Sequence, residues 1–142
     1  MAKRRSSEEG SALPPDVRRR LNDARLGLLA LHKALLEYER IRYERTHGRV
    51  ESSGSFLQLA IGDPQFAWLR SISEIVVQID QLLVSDEPGA EVDADKVMGH
   101  AKNLLRADEN GDDFQRRYHR ALQDSPEVVM VHAQWKRLGG VK

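Results

Sequence analysis

Three titratable side chains stand where helical spacing puts them against hydrocarbon: His32, Glu39 and Asp80. Neighbours on one face of a helix lie three and four residues away. For His32 those neighbours are Leu28, Leu29, Leu35 and Leu36, and for Asp80 they are Val76, Val77, Leu83 and Val84. Glu39, one heptad after His32, has Leu35, Leu36, Arg42 and Tyr43 around it and is expected at the rim of that face. An imidazole and two carboxylates could act as metal ligands, as a proton relay or as anchors for a small ligand inside a helical bundle. The plainer alternative is a buried hydrogen-bonded pair, His32 with Asp80, that sets the register of two helices and does nothing else.

The elements that must position these groups follow from periodicity and punctuation. Residues 1–14 are small, polar and charged without apolar periodicity and are expected to form a disordered tail, with a single domain over 15–142. Pro14-Pro15-Asp16 starts a long amphipathic helix whose stripe runs through Val17, Leu21, Ala24, Leu28, Leu31, Leu35 and Tyr38 and which should end at Gly48. After Ser52-Ser53-Gly54-Ser55, the run FLQLAIG allows only a short helix. Asp63-Pro64 then specifies an N-cap and first turn, and Trp68, Leu69, Ile72, Ile75, Val76, Ile79, Leu82 and Leu83 form the face of a second long helix. Three shorter helices follow, one around Val97 to Leu105, one capped by Asp112 or Asp113, and one opened by Ser125-Pro126 and ended by Gly139-Gly140. No segment alternates as a strand would. The expected fold is all-α, an antiparallel helical bundle with two long N-terminal helices, a short intervening helix and shorter C-terminal helices. If His47 and Pro64 are level, His32 faces Ile79 or Asp80.

The runs LHKALLEYERIRYERTHGRV and FLQLAIGDPQFAWLRSISEIVVQID resemble small bacterial all-helical proteins of unknown function, over about residues 21–83. The resemblance implies a fold and no chemistry.

Composition narrows the function classes. Lys plus Arg number 22 and Asp plus Glu number 22, so no net field draws the chain to nucleic acid or to an anionic membrane. The absence of cysteine removes disulfides, thiolate metal sites and a cysteine nucleophile. No signal-peptide apolar core and no membrane-length apolar run is present, which places the expected location in the cytoplasm. Glu44 and His47 give one Glu-x-x-His spacing where a di-metal bundle needs two and further glutamates. Asp108, Asn110 and Asp112 begin like a calcium loop, but Asp113 and His119 occupy the positions that require glycine and glutamate. Lys3-Arg4-Arg5 and Arg18-Arg19-Arg20 are the two basic clusters, without interleaved aromatics.

The expected function is a non-enzymatic helical interaction or structural module, able to bind a protein partner or a second copy of itself, with no cofactor. The second hypothesis is a metal- or small-ligand-binding bundle using His32, Asp80 and Glu39, with the metal unspecified. The third is nucleic-acid binding through the arginine clusters.

Overall fold

A computed structural model describes residues 13–138, and these are helical with no strand among them. The helices are α1 (Pro15–His47), α2 (Ser53–Gly62), α3 (Arg70–Leu83), α4 (Ala90–Leu104), α5 (Asp113–Asp124) and α6 (Pro126–Leu138), and a 3-10 segment, Pro64–Leu69, leads into α3. No described helix is long and apolar enough to cross a membrane.

Each boundary has a chemical cause. Pro15 opens α1, and Gly48, at φ 85, closes it by donating its N–H to the Glu44 carbonyl. Asp63 accepts from the Gln65 N–H at 2.8 Å, so the Asp-Pro pair starts a helix where the sequence places it, although its first turns are wound as 3-10. Asp112 and Gln115 form a reciprocal capping box at α5. Ser125 ends α5 and accepts at its side chain from the Val128 N–H, so one residue separates α5 from α6. The helix α4 stops at Leu104, well before Asn110-Gly111, and residues 105–112 form the link to α5.

The core is built from the α1 stripe, Val17 through Tyr38, together with Trp68, Leu69, Ile72, Ile79, Met98, Tyr118, Val128 and Trp135. Leu13 belongs to it as well, 3% exposed, so packing begins inside the span read as a tail; residues 1–12, with Lys3-Arg4-Arg5, and Gly139-Gly140 lie outside the described residues. Along α1, side-chain bonds reach Leu83 from Arg18, Asp80 from Arg25, Ser73 from His32 and Gln65 from Glu39. Partner numbers fall as α1 numbers rise, so α1 and α3 run in opposite directions. The most extensive helix contact joins α1 to α6. There Gly27 lies so close to Trp135 that a Cβ at that position would sit 3.2 Å from the indole and 3.3 Å from the Trp135 Cα.

Candidate functional site

The three singled-out side chains are not gathered into one site. His32 bonds to the Ser73 hydroxyl at 3.1 Å, while Asp80 accepts from Arg25 Nε at 2.6 Å. The expected His32–Asp80 pair is therefore not formed, because Ser73 and Asp80 are seven residues apart on α3, about 10 Å along the axis. The expected register was off by one heptad. Its premise was that His47 and Pro64 are level, whereas Gln65 bonds to Glu39 and α1 overshoots the start of the 3-10 segment by two turns. Asp80 is partly buried, as its spacing predicts, but its partner is Arg25: the two keep side-chain exposures of 48% and 37%, and their bond is a half-solvated ion pair.

Glu39 departs from expectation in the opposite sense. It is 1% exposed rather than at a rim. Trp68 Nε1 donates to one carboxylate oxygen at 2.8 Å, and Gln65 Nε2 at 2.9 Å and Arg42 at 3.0 Å donate to the other. Gln65 also reaches the Glu39 main-chain carbonyl at 3.2 Å. This carboxylate is satisfied by donors in two segments and fastens the 3-10 segment to the middle of α1. Among the described residues no group of three or more His, Asp or Glu side chains could hold a metal ion.

His32 does open onto a cavity. Its ring, with Leu36, Leu69 and Ser73, lines a groove of about 290 Å³ between α1 and α3, and α2 closes one end with Leu57 and Ile61. Burial lowers the His32 pKa, so the ring is neutral at neutral pH. One hydroxyl, one neutral imidazole and the Arg70 side chain at the rim are the polar groups of an otherwise hydrocarbon surface. That surface suits an apolar side chain with one polar contact better than it suits a charged substrate.

The wall supplied by α2 is unusual. SGSFLQLAIG is rich in large apolar residues, yet none of its residues is buried. Leu57 and Ile61 are 59% and 65% exposed, and Leu29 on α1 and Val77 on α3 are 40% and 53% exposed. The helix α2 packs through Phe56 on Phe66 and leaves its other side bare.

The arginine cluster at the start of α1 is divided. Arg18 donates to the Leu83 carbonyl at the end of α3 at 2.9 Å, while Arg19 and Arg20 face solvent. A pair that sequence reasoning passed over is His132 with Tyr118, whose hydroxyl and Nδ1 lie 2.6 Å apart. Its signal was available, since a tyrosine buried in an α5 stripe needs a hydrogen-bond partner.

No protein-family model matches this chain, and no curated protein or solved structure matches it.

Proposed function

We propose that this chain is a non-enzymatic interaction module, an antiparallel helical bundle that pairs with a second copy through α2 and the His32 groove. The observation that carries the reading is that an apolar helix, α2, buries none of its own residues while forming the wall of an apolar groove. Exposed apolar patches on a small domain mark interaction sites. A two-fold interface uses the same patch on both partners, so it needs a projection and a recess side by side. Leu57 and Ile61 supply the projection; the space lined by Leu36, Leu69 and Ser73 supplies the recess. The zero net charge leaves two copies without mutual repulsion and gives no advantage to a charged partner.

Sedimentation of the full chain over a wide concentration range tests this. Wild type is expected to shift from monomer to dimer. Leu57→Asp with Ile61→Asp should abolish the shift while retaining helicity, and Val92→Asp, an exposed apolar position on α4, should not. A monomer at every concentration overturns the reading.

A further inference from the structure

The cleft between the end of α4 and the last turns of α6 collects positive charge with no carboxylate among its described lining residues. Lys102, Arg106, His132 and Lys136 line a cavity of about 410 Å³ whose apolar floor includes Leu105 and Trp135. Several cations elsewhere are ion-paired, Arg25 with Asp80, Arg40 with Glu37 and Glu44, Arg42 with Glu39 and Arg117 with Asp113, and others, such as Lys33 and Lys96, make no ion pair among the described residues; what sets this cleft apart is that its cations share one cavity. Lys102, Arg106 and Lys136 make no ion pair and no side-chain hydrogen bond among the described residues. Local sequence accounts for this. The helical neighbours of Lys102 are Met98, Gly99, Leu105 and Arg106, and those of Lys136 include His132 and Ala133, none of them acidic.

Helix dipoles favour cations at the C-terminal turns of α4 and of α6. That acts on each helix separately. It does not require that cations of two helices share one cavity, nor that an imidazole be held in it. His132 is held, because Tyr118, fully buried, bonds its Nδ1 at 2.6 Å. When Nδ1 accepts a hydrogen bond from the phenol O–H, the neutral ring carries its own hydrogen on Nε2 and can offer one more N–H. The indole N–H of Trp135 also lacks an acceptor among the described residues.

We infer that this cleft binds a small organic anion, its phosphate or carboxylate end held by Lys102, Arg106, Lys136 and His132, with its apolar part on Leu105 and Trp135. A volume of about 410 Å³ is within the range of small-molecule sites. The groups gathered there are donors and cations, which select for negative charge. The site is on helices other than those of the His32 groove and is independent of self-association.

The test is amide and indole NMR of the full chain, titrated at low ionic strength with 1-naphthyl phosphate, inorganic pyrophosphate and naphthalene as separate probes. Saturable shifts are expected for naphthyl phosphate at His132, Lys136, Arg106 and the Trp135 indole, weaker ones for pyrophosphate, and none there for naphthalene. Lys102→Gln and Lys136→Gln, both at exposed positions, should each weaken naphthyl phosphate about tenfold, the usual worth of one charge-assisted hydrogen bond. Shifts that do not saturate, shifts spread over Arg19 and Arg20 alike, or full retention of affinity in the double variant would overturn the site. So would a single-stranded oligonucleotide that occupies the same residues at lower concentration with steep salt dependence, which would assign the cleft to a nucleic-acid backbone.

Discussion

Replacing Glu39 by Ala should be among the most damaging single changes to this protein, and the reason is the donors it leaves behind. Trp68 is 8% exposed and its indole N–H points at the carboxylate from 2.8 Å, so without Glu39 it has no acceptor. Losing the partner of a buried donor costs about 1 to 3 kcal/mol. The Gln65 bond adds a smaller amount, since that side chain is half-buried, and the Arg42 bond adds less than about 1 kcal/mol because its guanidinium is partly solvated. The one methylene lost with the carboxylate, Cγ, contributes about 0.8 kcal/mol. Glu39→Ala is therefore expected to lose about 3 to 5 kcal/mol, the range seen when one partner of a buried charged network is removed. Glu39→Leu combined with Trp68→Phe removes acceptor and donor together and should lose clearly less than the sum of the single changes. Urea unfolding followed by far-ultraviolet circular dichroism measures both, with an unchanged m value as the check that the same unfolding is being compared. A loss under about 1 kcal/mol for Glu39→Ala, or strict additivity in the double variant, would refute the account of this carboxylate as a fastener.

Asp80→Ala should cost under about 1 kcal/mol, because the Arg25–Asp80 pair is half solvated, and high salt should erase even that in the same unfolding assay. His32 and His132 both have pKa values lowered from 6.5, His32 by burial and His132 by burial and then by Lys136. The unfolded chain thus binds protons first; the stability these rings contribute is complete above about pH 6.5 and is lost as pH falls toward their folded-state pKa values, which unfolding curves at pH 7.5 and 5.5 and imidazole NMR titrations would follow. Gly99→Ala, at an exposed α4 position with nothing near the new Cβ, should gain about 0.5 to 1 kcal/mol. Gly27→Ala, facing the Trp135 Cα at 3.3 Å, should instead lose about 1 to 3 kcal/mol by forcing α1 and α6 apart, and thermal unfolding of the two variants should move in opposite directions.

Helices and their punctuation were readable because their causes are local: Pro15, Gly48, Asp63, Asp112 and Pro126 each act within one turn. The polar positions were not, because their causes are not local. Counting neighbours three and four residues away treated Val77 and Val84 as core beside Asp80, yet they are 53% and 85% exposed. An apolar neighbour reports a face only if that face is covered, and nothing within the helix says so. Glu39 failed in reverse: Arg42 and Tyr43 suggested a rim, while the donors that bury it, Trp68 and Gln65, come from another segment. A buried tryptophan needs an acceptor, and that requirement was the one sequence-level hint of an inward carboxylate. The Lys102, Arg106 and Lys136 cleft joins two helices distant in sequence and had no linear signature.

The close seat of Gly27 against Trp135 also has a consequence for the order in which the chain is made. α1 emerges from the ribosome first, and the surface that covers its middle, α6, emerges after every other described helix. The nascent chain must therefore carry α1 with an unsatisfied flank through most of its synthesis, and closing a loop of that length makes this contact a late event. A transcript cut short after α5 would yield a polypeptide with five of its helices encoded and its longest one still bare along the flank that α6 covers, the kind of species that chaperones hold and proteases remove. Truncating just before Trp135 should then reduce yield in cells far more than inserting a few small polar residues into the α4–α5 link at residues 105–112, which leaves every helix encoded.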